Sequence, residues 1–423
     1  MTKLTTFNVQ GDAFLLEKKM EGEEKCYFLV DGGENEKFAQ IHKKKFKKKE
    51  IKIVVCTHTD TDHANGIISY FQEGFTCEEL WLPALWTSNL SKILNGEGTF
   101  LQDLANELKE LNDNQEFSPR KYLKDTQRKI KEENISVLTE AIDNLKKEKL
   151  QLCSHHKPNI HEFFIYRNFS LENFNTFEEV NQVIRLQALF NFKDIRRFYL
   201  DTRFIKLNLK DKVLKYYGKI ITIVLLALLR GVKKIRWWEF VEDNTLIQGK
   251  IDKSSEVLTP LCHRELNGFF TNYKALYQYA LSKVNKESIV LLAKEDRLLI
   301  SSDSDFSACN YIPSSKSDSH VLITSPHHGS FYNSEAFERI DKYLKDTKSN
   351  GIWIRTDSGH ISMGDNFPRI QSKLKYCVNC YSWDIKRKRK AIIAKGANLI
   401  EAELKGKWII KEKNCSCQFK FKK

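Results

Sequence analysis

The stretch that decides the fold is His58-Thr59-Asp60-Thr61-Asp62-His63, which directly follows an apolar run at residues 51–56. A buried strand that ends in a tight polar turn holds successive side chains in fixed directions. His58 and Asp60 are therefore placed to serve one cation, while Asp62 and His63 can reach a second. The alternative is a helix cap, but aspartates beside a histidine repel or compete for donors unless cations neutralise them. The stretch thus predicts a binuclear metal site.

This spacing resembles the HxHxDH signature of the metallo-β-lactamase fold. It is closer to the HxDxDHxGG version in the nuclease-like domain of the competence protein ComEC, with Asn65 at the position of its first glycine. Gly66 is expected to let the backbone turn away into a helix beneath the metals. What the resemblance implies is an α/β fold, the four-layer αββα metallo-β-lactamase sandwich.

Two segments near the start are similar to the opening hairpin of that family, VGQGDA followed by IDGG. They are residues 7–13 and residues 27–33. Their glycines are expected in turns that need positive φ, namely Gly11, Gly32 and Gly33. The resemblance implies that Asp31 sits beside the metal loop and orients it without binding metal.

Residues 285–292 and 297–303 form two alternating runs around a charged turn, a pattern typical of a hairpin. They resemble the N-x-x-S-I-V-L strand and the LLTGD strand end of the family. Ser302 stands where the family has glycine, and it enlarges the loop slightly. The resemblance implies that Asp303 is the carboxylate that bridges both metals.

Residues 321–330 again deliver histidines at the end of a strand, as in the LKVGHHGS segment of the family. The resemblance implies that His327 binds metal, with His328 either binding metal or hydrogen-bonding the substrate. Residues 356–360 are similar to a shorter YGH segment, in which the histidine assists the scissile phosphate. His360 is therefore a candidate general acid, and a solvated loop histidine is the alternative.

One ligand of the family pattern has no counterpart in the sequence. Many relatives carry a further histidine between the first motif and the bridging aspartate, and the candidates here, none with supporting context, are His155, His156, His161 and His263. The first cation is then expected on His58, Asp60 and Asp303 alone. Because Asp60 replaces a histidine, the site is harder and shifts from zinc toward manganese or magnesium, with zinc as the alternative.

The size of the chain bounds its domain organisation. With 423 residues, 41% of them hydrophobic, it exceeds the ~200 to 250 residues of a single two-sheet sandwich. We therefore expect a core at 1–90 and 215–375, a lysine-rich helical insertion at 91–214, and a basic extension at 376–423. No signal peptide is recognisable, and the longest apolar stretch, 220–229, is too short to cross a bilayer. The sequence predicts a cytoplasmic protein without a membrane span.

Apolar residues at helical spacing support the insertion. They recur between Phe100 and Leu111 and again between Val137 and Leu145, and Thr176-x-x-Glu179 is a capping box that opens a third helix. These stripes indicate packing, with docking of a protein partner as a further role for the insertion. Flanking it, residues 80–83 and 235–240 predict core strands, and residues 220–229 predict a core helix.

Charge points to an anionic partner. The formal charge is +14, and six lysines lie just ahead of the metal strand, namely Lys43, Lys44, Lys45, Lys47, Lys48 and Lys49. A second cluster lies at 386–390. Phosphate backbones favour such patches through counterion release, so we expect nucleic acid as a partner. Solubilising surface charge is the alternative.

Ten cysteines in a chain without a secretory signal predict reduced thiols. Cys377-x-x-Cys380 and Cys415-x-Cys417 have a spacing that suits one structural zinc ion, and free thiols are the alternative. The six other cysteines are scattered and are expected in the core or in incidental positions.

Together these features predict a metal-dependent hydrolase that uses two divalent cations, zinc or manganese, and a metal-bound hydroxide. The catalytic residues are expected to be Asp62, His328 and His360. The substrate favoured is a phosphodiester, in a nuclease that acts on DNA, and the resemblance extends this to phage defence. One alternative is a hydrolase of small esters or phosphocholine-type substrates. The other is a catalytically silent binding or scaffold protein that keeps the fold.

Overall fold

The structure is a computed structural model. It describes residues 2–19, 25–46, 50–87, 89, 99–111, 117–126, 205–241, 257–266, 274–285, 287–307, 309, 320–330, 333–356, 367, 370, 374–384, 389–395 and 399–412. Within these ranges the chain is a mixed α/β protein built on two large sheets.

The first sheet contains strands from both ends of the chain. They are β1 (Thr2–Phe7), β2 (Phe14–Lys19), β3 (Lys25–Val30), β4 (Ile51–Val55), β5 (Cys77–Pro83), β6 (Lys234–Phe240), β8 (His263–Glu265), β16 (Leu399–Lys405) and β17 (Lys407–Ile410). Their order is β17-β16-β1-β2-β3-β4-β5-β6-β8. Strands β3 to β6 run parallel, and the outer pairs are antiparallel. The predicted core strands at 80–83 and 235–240 are confirmed.

The second sheet is formed by the later part of the chain. Its strands are β7 (Thr259–Leu261), β9 (Val290–Ala293), β10 (Leu298–Ile300), β11 (His320–Thr324), β12 (Asn350–Arg355) and β13 (Lys375–Cys377). Their order is β13-β12-β11-β10-β9-β7. Strands β10 to β13 run parallel, whereas β9 and β10 form the predicted antiparallel hairpin. A separate hairpin joins β14 (Asn379–Asp384) to β15 (Arg389–Lys395).

Six helices are bounded in the described part of the chain. They are α1 (Lys37–Lys45), α2 (Thr61–Gln72), α3 (Thr99–Lys109), α4 (Ile205–Leu229), α5 (Ala275–Lys283) and α6 (Ser334–Asp346). The predicted helices at 100–111 and 220–229 are confirmed as α3 and α4, while the segments at 137–145 and 176–179 lie outside the described residues. Among the helices that can be described, none combines the length and apolarity needed to cross a bilayer.

The two sheets share a buried apolar cluster. Alternation along each strand sends Leu291 and Leu322 into this cluster with Phe28 of the first sheet. Their neighbours on the opposite face of the second sheet join a second cluster with Phe337 and Ile340 of α6. On the first sheet, Phe7 packs edge-on against Phe38 of α1, with ring centroids 5.0 Å apart. Apolar side chains therefore cover both sheets on both faces.

The described chain divides into two compact units. One comprises residues Met1–Leu85, Lys219–Leu266 and Asn285–Lys423, and it contains both large sheets. The other comprises Trp86–Gly218 and Asn267–Val284 and contains α3 and α5. The expected extension at 376–423 contributes β16 and β17 to the first sheet, because β16 pairs with β1 along its whole length. The predicted domain boundaries themselves stay a prediction.

Candidate metal centre

The side chains of the predicted site follow parallel strands of both sheets. Asp31 comes directly after β3 and His58 follows β4, while Asp303, His327 and Thr356 follow β10, β11 and β12. Because neighbouring parallel strands present their carboxyl ends at the same edge of a sheet, three consecutive loops of the second sheet meet there. This topology brings together residues that are up to 325 positions apart in the sequence, as Asp31 and Thr356 are.

The loop after β4 is held by one buried carboxylate. Asp31 accepts the backbone N–H of Thr57 at 2.8 Å and its hydroxyl at 2.7 Å, and its Oδ2 lies 2.8 Å from Nδ1 of His63. His58 and His63 are both fully buried. Asp31 therefore contacts both the backbone of the loop and the ring of a predicted ligand, and its role beside a metal stays a prediction.

Two glycines let the helix beneath the loop approach β3 closely. A Cβ on Gly66 would lie 1.8 Å from the carbonyl oxygen of Gly32. Gly66 lies inside α2 rather than in a turn, so the expectation that it redirects the backbone is wrong. The expected positive φ holds for Gly11 and Gly33, at 99° and 79°, but not for Gly32, whose role is this close approach.

The loop after β10 carries Asp303. Ser302 adopts φ 47°, the left-handed conformation that suits the glycine of the family pattern, and its hydroxyl lies 2.7 Å from that of Thr57. Asn333 donates to the carbonyl oxygens of Asp303 and Ser304, each at 3.0 Å. Asp303 is almost completely buried. The serine in the position of a glycine thus forms a hydrogen bond with the loop after β4.

The turn after β11 is unusual because two consecutive histidines are left-handed. His327 has φ 45° and ψ 49°, and His328 has φ 51° and ψ 21°. Such a conformation costs an L-residue on the order of 1–3 kcal/mol. The backbone N–H of His327 donates to the carbonyl of Ser302 at 2.9 Å, which joins this turn to the Asp303 loop. Strain of this kind persists only where the surroundings determine it, and it is typical of functional sites.

The carboxylate of Asp303 lies between two pairs of histidines. Its Oδ2 is 3.6 Å from Nε2 of His58 and 3.3 Å from Nε2 of His327. Its Oδ1 is 3.2 Å from Nε2 of His63 and 3.6 Å from Nε2 of His328. Asp62 joins the second pair, because its Oδ2 lies 3.3 Å from Nε2 of His328. Each oxygen of Asp303 therefore has its own set of donor atoms.

Asp12 also belongs to this cluster, although it was not among the predicted site residues. Its Oδ1 accepts the hydroxyl of Thr356 at 2.5 Å and lies 3.1 Å from Nδ1 of His328. Asp12, His63, Asp303 and His328 form a buried group in which one donor atom from each lies within 4.8 Å of the others. Since the Asp12 oxygens face the Nδ1 atoms, this carboxylate orients His328 much as Asp31 orients His63. A signal was present, because Asp12 lies in the QGD turn that carries the resemblance.

Charges within this cluster shift the pKa values of its side chains. Burial alone would raise the pKa of the Asp303 carboxyl, but the charges of His327, His63 and His328 hold it well below its usual value. Burial would lower the pKa of His328, yet the carboxylates of Asp12 and Asp303 raise it to about 10. Likewise the pKa of His63 rises well above its usual value, against its own burial, through Asp303 and Asp31. The raised pKa values of His63 and His328 mean that charged imidazoles balance the carboxylates, and a cation that binds there must displace protons from the imidazoles.

The donor set fits divalent cations. Among the described residues, no hydrogen-bond partner is found for the buried Nε2 atoms of His58, His63 and His328 or for Oδ1 of Asp303. Buried polar atoms are normally satisfied, so several orphaned atoms that face one another indicate a group that they bind in common. Imidazole nitrogens and carboxylate oxygens together suit zinc or manganese.

Several predicted site residues are not among the described residues of the cluster around Asp303. Asp60 directly precedes α2, where its carbonyl accepts the N–H of His63 and Ala64, and its role as a ligand stays a prediction. His360 lies outside the described residues, as do Cys415 and Cys417 and the side chain of Cys380. Cys377 is buried at the end of β13. The zinc site proposed for these cysteines is therefore untested.

Lysine residues of the first cluster lie on α1. Lys43, Lys44 and Lys45 form its last turn and are exposed, whereas Lys47, Lys48 and Lys49 lie outside the described residues. Lys43 forms an ion pair with Glu73 at 2.7 Å. Of the described part of this cluster, Lys44 and Lys45 are therefore the better placed to bind an anion.

Among the candidates for a missing ligand, the structure describes His263. It is buried, and its Nδ1 lies 2.7 Å from the carbonyl oxygen of Leu261. Burial lowers its pKa to about 4, so it is neutral at pH 7. His155, His156 and His161 lie outside the described residues.

One expectation about the cysteines is wrong. A disulfide joins Cys262 to Cys309, which are 47 positions apart with Cα atoms 5.5 Å from each other. Cys262 follows β7, and Cys309 lies beyond Asp303 on the chain that leaves β10. The pairing arises because β7 and β10 both flank β9, a neighbourhood that cysteine spacing alone does not reveal.

Comparison with known families supports the first half of this site. The sequence profile of the metallo-beta-lactamase superfamily matches residues 7–77. This span runs from the end of β1 to the start of β5 and contains Asp12, Asp31 and the loop at 58–63. Asp303, His327 and His328 lie beyond it. A comparison with curated proteins finds no match.

Proposed function

We propose that this chain is a metal-dependent phosphodiesterase, a nuclease that acts on DNA. The observation that carries the proposal is the arrangement at Asp303, where each carboxylate oxygen has its own pair of histidine nitrogens. The match of residues 7–77 to a superfamily of typically hydrolytic, metal-dependent enzymes agrees with this chemistry. The substrate and the likeness to ComEC nucleases are the parts that we propose beyond that match.

The residues present would hold two cations through His58, His63, Asp62, Asp303, His327 and His328. When bound, such cations lower the pKa of water toward neutrality and stabilise the negative charge that develops on phosphate. The chain itself supplies orientation, because Asp31 and Asp12 fix the rings of His63 and His328 through their Nδ1 atoms. Asp62, partly exposed at the start of α2, has its Oδ2 3.3 Å from Nε2 of His328 and would offer a carboxylate oxygen to the same cation.

An anionic substrate suits the charges near the loop. Lys219 donates to the carbonyl of Thr59 at 3.1 Å and to the hydroxyl of Thr61 at 2.8 Å, which places an ammonium group beside the metal-binding stretch. The N-terminus of α2 lies in the same stretch and favours negative charge. Exposed Lys44 and Lys45 lie on α1. Together with the formal charge of +14, these groups favour a phosphate over a neutral ester.

The fold belongs to the same proposal. Two sheets that share an apolar cluster, with α6 against the second and α1 against the first, support a four-layer αββα sandwich. The unit that contains α3 and α5 supports a helical insertion. We propose that the insertion at 91–214 docks a protein partner.

The test is an assay of chelated and metal-restored protein on single- and double-stranded DNA, RNA, a small phosphodiester, a carboxylic ester and a phosphocholine ester. We expect DNA cleavage that chelation abolishes and manganese restores at least as well as zinc. Asp62→Ala and His63→Ala should abolish cleavage while the circular dichroism spectrum stays unchanged. Cleavage of only the small esters would favour the esterase alternative. Bound metal without any hydrolysis would favour the scaffold.

A second assay tests nucleic acid as the substrate. Replacing Lys44 and Lys45 by Gln should weaken DNA binding and reduce the slope of its salt dependence by ~0.9 for each phosphate that is no longer neutralised. Turnover of a small phosphodiester should not change. Lys43→Gln is the matched control, because Lys43 is engaged by Glu73 and should matter less. An unchanged slope in the double variant would mean that these lysines are only solvated.

A further inference from the structure

The first cation position is the weaker half of the proposed centre. The sequence gives it His58, Asp60 and Asp303, and the extra histidine found in many relatives has no counterpart with supporting context. The structure brings another imidazole to this position, because Nε2 of His327 and Nε2 of His58 face the same oxygen of Asp303.

We propose that the two consecutive histidines bind different cations. His327 completes the first position with His58, and His328 completes the second with His63 and Asp62. Asp303 contributes one oxygen to each. This assignment rests on the proposed function, since it assumes a centre with two cations, and it departs from a pattern in which the first position takes its third histidine from upstream of the bridging aspartate.

The distances between donor atoms support this grouping. Bonds of ~2.1 Å at a tetrahedral angle place two donors of one cation about 3.4 Å apart. His58 and His327 lie 3.6 Å and 3.3 Å from Oδ2 of Asp303. His63 and His328 lie 3.2 Å and 3.6 Å from Oδ1. Each oxygen of Asp303 thus has a different pair of histidines at a suitable distance. His63, His328 and Asp303 also belong to the group, with Asp12, whose donor atoms all lie within 4.8 Å of one another.

The backbone of the turn explains how neighbouring residues reach opposite sides of one carboxylate. Both histidines are left-handed, and their rings are 6.1 Å apart and inclined at 73°. The strained turn thus presents two Nε2 atoms to the two oxygens of Asp303. The backbone N–H of His327 donates to the carbonyl of Ser302 at 2.9 Å, which holds the turn against the loop that carries Asp303.

The side chain of Asn333 is oriented so that its oxygen faces Nδ1 of His327. The amide nitrogen of Asn333 donates to the carbonyls of Asp303 and Ser304, so its Oδ1 must be the atom that faces the imidazole. That oxygen lies 3.1 Å from Nδ1 of His327. The amide nitrogen of Asn285 also lies 3.4 Å from Nδ1. In the tautomer whose Nδ1–H donates to Asn333, Nε2 keeps its lone pair toward Asp303. This is the pattern of a metal-bound histidine oriented by a neighbouring acceptor.

The experiment measures cation binding directly. Chelated protein is dialysed against graded free manganese or zinc, and bound metal is counted in the wild type and in His327→Ala, His328→Ala, His58→Ala and His63→Ala. We expect the wild type to bind two cations. Each single variant should bind one, because the affinity of the position that loses its histidine should fall by ~100-fold or more. His263→Ala, which removes a buried histidine outside the cluster, should keep both.

Double variants identify which histidines share a cation. His58→Ala with His327→Ala should still bind one cation, because both changes affect the first position. His63→Ala with His327→Ala should bind none. The reverse pattern, or two cations at wild-type affinity in His327→Ala, would overturn the assignment alone. A wild-type chain that binds no cation would overturn the proposed function, and the assignment with it.

Asn333→Ala tests the same assignment without removing a histidine. Removal of the acceptor for Nδ1 should weaken one cation by about 10- to 100-fold and leave the other unchanged. Asn89→Ala is the matched control, since it truncates another buried, hydrogen-bonded asparagine, which contacts Tyr217 and Gln278. Equal effects of the two asparagine variants on both cations would count against a role for Asn333 at His327.

Discussion

The loop at 58–63 and the turn at 325–330 deliver histidines to the same carboxylate, but they are built in opposite ways. The loop leads from β4 into α2 through ordinary backbone, with Asp60 extended at φ −61° and ψ 150°. The turn after β11 places His327, His328 and Gly329 in succession at positive φ. The loop follows local preferences, whereas the turn adopts a backbone that its residues disfavour.

Different contacts stabilise the two segments. The loop combines the side chain of Asp31 with close backbone packing, where Gly32 meets Gly66 and the N–H of Asp12 donates to the carbonyl of Asp62 at 3.0 Å. The turn has a backbone hydrogen bond to Ser302, and the side chains of Asn333 and Thr356 contact its two histidines. Close packing of glycines is therefore a feature of the loop, and contacts between side chains are a feature of the turn.

The largest effect is expected where the two segments meet. Asp303→Ala removes the carboxylate that faces both histidine pairs, so neither cation should bind and turnover should fall by ~10³-fold or more. The control is Asp305→Asn on the same loop. The carboxylate of Asp305 accepts the backbone N–H of Ser307 at 2.8 Å. Retention of one tightly bound cation in Asp303→Ala would contradict a shared carboxylate.

Adding a methyl group at Gly66 should disrupt the close packing beneath the loop. Gly66→Ala places a Cβ 1.8 Å from the carbonyl oxygen of Gly32, so α2 must shift, at a cost of roughly 3 kcal/mol in the free energy of unfolding. The matched control is Gly218→Ala in α4, where the added Cβ meets nothing within 4 Å. That change should stabilise by up to about 1 kcal/mol. Chemical denaturation of both variants gives the comparison, and equal stabilities would refute the close packing.

Asp31 and Asp12, the two orienting carboxylates, should contribute unequally to the affinity for cations. Asp31 accepts from Thr57 twice and faces His63, whereas Asp12 accepts from Thr356 and faces His328. We expect Asp31→Asn to weaken cation binding by ~100-fold and Asp12→Asn by ~10-fold. Asp296→Asn, which changes a buried carboxylate bonded to Thr2 and Lys18, should leave metal affinity unchanged. The reverse order of Asp31 and Asp12 would show that the turn relies on its partner more than the loop does.

The smallest predicted effect measures strain in the turn. Both His327→Ala and His327→Gly remove the imidazole, but only glycine adopts positive φ without cost. In chelated protein the glycine variant should therefore be more stable than the alanine variant by about 1 kcal/mol in the free energy of unfolding. The same pair at His42, a buried histidine within α1, should show the opposite order, since glycine weakens a helix. No difference at position 327 would mean that the turn is not strained.

The contrast also explains how far the sequence could be read. The loop at 58–63 could be predicted because four potential metal ligands lie within six positions. The strand pattern before them and the helix pattern after them set the directions of their side chains. Apolar periodicity also predicted the hairpin of β9 and β10 and the strand before the histidine pair. These elements follow from local patterns of apolar residues.

Contacts between residues that are far apart in the sequence could not be predicted. Asp12 lies 316 positions from His328, and only the meeting of the two sheets makes it a neighbour. The split of the histidine pair across Asp303 depends on left-handed backbone that no spacing rule predicts for histidine. The disulfide between Cys262 and Cys309 depends on the order of strands in the second sheet. Each of these features is decided by tertiary packing rather than by local sequence.

The most direct test of a centre shared between the two segments is a crystal structure of the manganese-loaded protein with anomalous scattering. We predict two anomalous peaks, each ~2.0–2.3 Å from a different oxygen of Asp303. One should contact Nε2 of His58 and His327, and the other Nε2 of His63 and His328. A single peak, or one peak bound by both His327 and His328, would contradict this account.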